Sequence, residues 1–94
     1  MPKREITPMQ VPGEERAVLW LTGVGHLPKG TVVRAPGTLG PLMEYGVLEA
    51  ITVDGSGVTT WLAEPHTWTD HGPRIRDAVR LAVDLEGWET TQGK

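Results

Sequence analysis

The chain has 94 residues, a net charge of -3 and no cysteine. This length predicts a single domain with a thin core, and the mild charge offers no basic surface to nucleic acid. The lack of cysteine excludes disulfides, thiolate catalysis and cysteine-bound zinc or iron–sulfur clusters within this chain. No apolar run is long enough to cross a bilayer.

The composition also bears on the source of the protein. Asn is absent, Gln occurs twice and Arg is preferred to Lys. Few thermolabile side chains are typical of a heat-adapted, thermostable protein. A GC-rich genome produces the same composition, so both explanations stay open.

The N-terminal segment, residues 1–15, predicts an extended, mobile arm, because prolines, a glycine and charges occupy it without apolar periodicity. No apolar stretch follows Met1–Glu5, so we expect no signal peptide and a cytoplasmic protein. The remainder, residues 16–94, is predicted to form a single α+β domain.

Three short elements are predicted at the start of that domain. Residues 16–24 alternate apolar side chains on two faces, which is typical of a central strand. Residues 31–35 predict a short strand that pairs with the first one. Residues 38–46 predict a short helix that begins near Gly40 and ends at Gly46.

A hairpin is predicted next. Residues 47–53 and 58–63 are rich in β-branched side chains, and the glycine-rich residues 54–57 between them are typical of a tight turn. The simplest register places Val53 opposite Val58. The other face of the hairpin then carries Leu48, Ala50, Trp61 and Ala63. Because both faces are partly apolar, we expect one to be covered and the other partly shielded.

A long helix is predicted after the hairpin, with Gly72 or Asp70 as its N-cap, Pro73 in its first turn and Gly87 just past its end. Trp88 is expected to fold back onto the last turn. The apolar positions repeat at helical spacing, and they are Ile75, Ala78, Val79, Ala82 and Val83, widened by Leu81 and Leu85. This arc covers roughly half of the circumference, more than a helix lying on one sheet needs.

The predicted order of elements is β, short β, short α, β, β, α. A split β-α-β arrangement would pair the first strand parallel to the second hairpin strand. We therefore expect an α+β fold, a small two-layer sandwich that is ferredoxin-like or related. Its mainly antiparallel sheet would have three to four strands, with one long and one short helix on one face.

Part of this pattern resembles a known family. Residues 44–48, residues 51–58 and the helix ending at residues 85–88 are similar to the small α/β domain of iron–sulfur assembly accessory proteins. The resemblance covers less than half of the chain. That family usually has a Cys after the second hairpin strand, where this chain has residues 64–68, Glu-Pro-His-Thr-Trp. The resemblance thus implies a hairpin followed by a helix, and it implies no shared chemistry.

The main polar cluster lies between the hairpin and the long helix. Glu64, His66, Asp70 and His71 fall within eight residues, and imidazoles and carboxylates bind divalent zinc, nickel or iron. His26, in another glycine-rich loop, is a further candidate ligand. The same histidines suit general acid–base work, although no nucleophile or cleft is indicated. In the alternative interpretation, Asp70 caps the helix and the histidines are surface residues, because their spacing matches no ligand motif.

A third possibility is an anion site at the start of the long helix. Exposed backbone N–H groups at a helix N-terminus attract phosphate or sulfate, and His71, Arg74 and Arg76 are near this one. The alternative is that Asp70 already satisfies those donors.

The predicted function is a non-catalytic protein-interaction domain that self-associates as a homodimer, with no cofactor, no nucleic acid and no membrane as partner. The hypothesis rests on the two-sided apolar hairpin, the wide apolar arc of the helix and three tryptophans expected to be partly exposed, Trp20, Trp61 and Trp88. A two-layer core built from the same residues explains the pattern equally well. The second hypothesis is a small metal-binding protein or enzyme that uses the loop of His66, Asp70 and His71. The sequence does not identify any other protein partner.

Overall fold

The computed structural model describes residues 6–25 and 27–91. These residues form β1 (Thr7–Val11), β2 (Glu14–Leu21), β3 (Gly30–Arg34), α1 (Leu39–Glu44), β4 (Leu48–Val53), β5 (Gly57–Leu62), α2 (Trp68–Val83) and β6 (Glu89–Thr91). The strands make one sheet in the order β1-β2-β5-β4-β3-β6. All neighbouring strands in it are antiparallel.

This architecture corrects the expected ferredoxin-like sandwich of three to four strands. The chain is α+β with one long and one short helix, as predicted, but six strands form within the described residues. The first predicted strand does not pair with β3, which pairs with β4 and β6 instead. It therefore joins the other side of the hairpin as β2, where it runs antiparallel to β5 rather than parallel.

The two additional strands form the edges of the sheet. β1 lies within residues 1–15, the predicted arm, and reverses into β2 at Gly13, which has a φ of +79°. Most residues of β1 and β6 are exposed. Because edge strands of this kind bury little apolar surface, hydrophobic periodicity does not predict them. The predicted mobility of residues 1–5 lies outside the described residues.

One face of the sheet carries the hydrophobic core. The hairpin has the predicted register, with Val53 opposite Val58, and both side chains are buried. A register shift between Leu48 and Ala50 brings Leu48 opposite Leu62. Leu48 is therefore buried in the core and not on the opposite hairpin face, where simple alternation placed it.

The long helix, α2, covers this face with the predicted stripe. Its buried residues are Ile75, Ala78, Val79, Ala82 and Val83. Trp88 donates a hydrogen bond from Nε1 to the carbonyl oxygen of Ala82 at 2.8 Å, which confirms that it folds back onto the last turn. The short helix α1 adds buried Leu39 and Leu42 to the same core.

The start of α2 differs from the prediction. The helix begins at Trp68, and Oγ1 of its N-cap Thr67 accepts a hydrogen bond from the backbone N–H of Asp70 at 3.2 Å. The indole of Trp68 contacts that of Trp20 edge to face, with ring centres 6.3 Å apart. Capping by Thr67 and packing by Trp68 together extend the helix by one turn. Pro73 consequently lies inside the helix and not in its first turn.

Candidate functional site

The loop between β5 and α2 is held in place by Arg16 of β2. Its Nε donates to the carbonyl oxygen of Leu62 at 2.9 Å, and its Nη2 donates to the carbonyl oxygens of Ala63, at 2.9 Å, and His66. A guanidinium group presents several donors in a rigid plane, so it ties these carbonyls together at once. The backbone of His66 is thereby fixed relative to the sheet.

This loop and the start of α2 bring His66 and His71 together. His71 follows the first turn of α2, and its backbone N–H bonds to the carbonyl of Thr67 at 3.0 Å. Nδ1 of His66 lies 3.1 Å from Nε2 of His71. The ring centres are 4.8 Å apart and the ring planes meet at 82°. Both side chains are half-buried.

The second nitrogen of His71 is unusual. Its Nδ1 is buried and has no hydrogen-bond partner among the described residues. A neutral imidazole carries one donor and one acceptor nitrogen. Nδ1 of His71 thus lacks a hydrogen-bond partner in both neutral tautomers of the ring, as a donor in one and as an acceptor in the other.

The other predicted metal ligands do not join the histidine pair. Glu64 and Asp70 are exposed, and residues 6–25 and 27–91 contain no group of three His, Cys, Asp or Glu side chains suited to a metal. His26 lies outside the described residues. Metal binding by Glu64, His66, Asp70 and His71 together therefore stays a prediction. Of these four residues, the structure brings only the two histidines into contact.

The residues of the predicted anion site lie further into the helix than the sequence indicates. Because α2 begins at Trp68, His71, Arg74 and Arg76 lie beyond its first turn. Both arginines are exposed, and Nε of Arg76 lies 3.6 Å from Oδ1 of Asp77. Anion binding by these three residues stays a prediction.

The second face of the sheet is covered by neither helix, because the buried side chains of α1 and α2 belong to the core on the first face. Strand alternation and register place uncharged side chains at its centre. We call this surface the open face, and its central residues are Met9, Ala17, Leu19, Leu21, Ala50, Thr59 and Trp61. Met9 is 50% exposed, Leu19, Leu21, Ala50 and Trp61 are half-buried, and Ala17 and Thr59 are buried. Sheet faces in contact with water are normally polar, whereas this one is partly apolar, and neither helix of the described residues packs on it.

The tryptophans divide differently from the prediction. Trp20 and Trp88 are buried, so they are core residues and not interface anchors. Trp61 is half-buried on the open face. The residues expected to widen the apolar arc of the long helix, Leu81 and Leu85, are exposed.

No helix in the described part of the chain is both long and apolar enough to span a membrane. Comparisons of the chain with protein families, with curated proteins and with solved structures find no match.

Proposed function

We propose that this protein is a non-catalytic domain that self-associates through the open face of its sheet. The observation that supports the proposal is the uncharged and partly apolar centre of that face, where Leu19 and Leu21 of β2 and Trp61 of the neighbouring β5 lie on the same side of the sheet. Exposed apolar patches that are larger than scattered single residues usually mark an interface.

A second copy of the chain fits this face well. The central side chains carry no charge, so two identical faces meet without the like-charge repulsion that opposes self-association. Two sheets stacked about 10 Å apart form a common type of core, and two-fold pairing is the commonest closed symmetry.

The remaining features of the proposal come from composition. A cysteine-free chain with a net charge of -3 and few thermolabile residues supports a cytoplasmic protein from a heat-adapted source that binds no nucleic acid.

Light scattering at micromolar concentration tests the proposal. We expect a mass of about twice the 10.2 kDa of one chain. A lysine placed in the dimer interface would bury a charge, so Leu19→Lys is expected to give a folded monomer.

Leu81→Lys is the matched control, because it makes the same substitution on the exposed surface of α2. This variant is expected to remain a dimer. Circular dichroism confirms that each variant is folded. A monomeric wild-type protein, or a folded Leu19→Lys variant that is still dimeric, contradicts the use of the open face.

A further inference from the structure

We propose that His66 and His71 form a two-nitrogen chelate for a divalent transition metal ion that prefers tetragonal geometry, Cu²⁺ or Ni²⁺. The chelate is independent of the proposed self-association. It involves the loop before α2 and the start of α2, whereas the open face lies on the other side of the sheet.

The separation of the two nitrogens suits one shared ion. An ion bound at about 2.05 Å to two imidazole nitrogens holds them about 2.9 Å apart at a right angle and about 3.3 Å apart at a tetrahedral angle. Nδ1 of His66 and Nε2 of His71 are 3.1 Å apart. This separation corresponds to an angle at the ion of about 98°, close to the right angle of a tetragonal site.

The positions of the rings agree with the same ion. Each ring centre lies about 1.15 Å behind its nitrogen, so an ion at that angle would hold the centres about 4.8 Å apart. The observed separation is 4.8 Å. A straight N–H···N hydrogen bond of this length would hold the centres about 5.4 Å apart. The observed separation of the centres is thus shorter than a straight hydrogen bond gives, and it equals the separation expected when both nitrogens bind one ion.

The backbone that carries the pair is also held in position before any ion binds. Arg16 fixes the carbonyl of His66, and the helix fixes the backbone of His71. Ligands held in advance bind without a further loss of conformational freedom. Both side chains are half-buried, so one side of the pair faces solvent and leaves room for water to complete the coordination.

The choice of ion follows from the number of ligands. The described residues add no third His, Cys, Asp or Glu to this pair, and protein sites for Zn²⁺ normally use at least three ligands. Nitrogen sites generally bind Cu²⁺ most tightly among divalent ions of the first row, with Ni²⁺ next among the tetragonal ones.

The affinity is limited by the second nitrogen of His71. When Nε2 binds the ion, the proton of the neutral ring resides on Nδ1, which is buried without a partner among the described residues. Metal-bound histidines usually donate this N–H to an acceptor, and its absence weakens binding. We therefore expect micromolar rather than nanomolar affinity.

Titration of tag-free protein with Cu²⁺ near neutral pH tests the proposal by calorimetry and electron paramagnetic resonance. We expect one ion per chain and a spectrum with couplings to two nitrogens. His66→Gln and His71→Gln are each expected to weaken binding by about tenfold or more.

Three variants serve as controls. His26→Gln and Asp70→Asn keep both ligands and should bind Cu²⁺ as the wild type does. Leu19→Lys should also bind normally, so failure of self-association and failure of the chelate can be told apart. An absence of binding, or equal binding by the double variant of His66 and His71, overturns the proposal. Equal weakening by His26→Gln also overturns it, because the two histidines alone would not be the site.

Discussion

The indole Nε1 of Trp20 donates a hydrogen bond of 2.9 Å to Oγ1 of Thr60 inside the core. Trp20 is 3% exposed and Thr60 is 0% exposed, and the two residues lie on the neighbouring strands β2 and β5. A buried N–H group needs a protein partner in place of water. The hydroxyl of Thr60 is that partner, which explains why a polar side chain lies in the core.

Removal of this hydroxyl should destabilise the protein. Thr60→Val keeps the shape of the side chain but leaves Nε1 of Trp20 without a partner, so we expect a loss of about 1–3 kcal/mol in the free energy of unfolding. Urea denaturation measures it. Thr60→Ser keeps the hydroxyl and should retain the hydrogen bond. If Thr60→Val proves as stable as the wild type, the bond does not contribute.

The close contact of β5 with β2 at Gly57 gives a second prediction. A Cβ atom built at Gly57 would lie 2.1 Å from the carbonyl oxygen of Trp20, so Gly57→Ala must push the strands apart. We expect a loss of about 1–3 kcal/mol, the range for overpacked sites. Gly55→Ala is the control in the same turn, since a Cβ there meets no atom within 4 Å. Equal melting temperatures of the Gly57→Ala and Gly55→Ala variants would contradict this close contact between β5 and β2.

The face of α2 that packs on the sheet gives a third prediction. Val79 is fully buried, so Val79→Asp would bury an unpaired carboxylate and should unfold the protein. Asp77 is exposed and pairs with Arg80 at 3.1 Å on the surface. Asp77→Ala should therefore change the stability by about 0.5 kcal/mol or less. Circular dichroism during urea titration compares the two variants. Similar unfolding midpoints would show that α2 does not pack on the sheet through the face that carries Val79.

The first edge strand gives a fourth prediction. Deletion of residues 1–13 removes β1 but leaves β2, and four of the five residues of β1 are exposed. We expect the remaining domain to stay folded, with a melting temperature lowered by no more than about 8 °C. Ile6 packs partly buried against the core, so its removal is expected to account for most of the lost stability. A larger fall would show that β1 is an essential part of the sheet.

The elements that the sequence predicts well are those whose burial shows as periodicity. The stripe through Ile75 and Val79 and the hairpin register at Val53 follow from spacing alone, and both are confirmed. The edge strands have no such pattern because they are mostly exposed. The register shift beside Leu48 moves the side chain of Leu48 to the other face of the hairpin. The amino-acid sequence there contains no residue pattern that predicts such a shift.

The candidate site was partly predictable for a similar reason. His66 and His71 are close in sequence and meet in space. The sequence does not indicate a role for Arg16, because its contacts span 46 to 50 residues and a single arginine near the start of a strand is typical of a solvated position. The sequence indicates too late a start for α2, because Pro73 is a common first-turn residue. In the structure, Thr67 caps the helix and Trp68 makes the contact at its start.

The order of strands affects how the chain completes its sheet during synthesis. β3 pairs with β6 through contacts such as Thr31 with Thr91, which are 60 residues apart. Until residues 89–91 have left the ribosome, the outer edge of β3 has no strand beside it. An unpaired edge is a template for pairing with other chains. A nascent chain stalled before residue 89 should therefore be more prone to intermolecular pairing than a chain that includes residues 89–91.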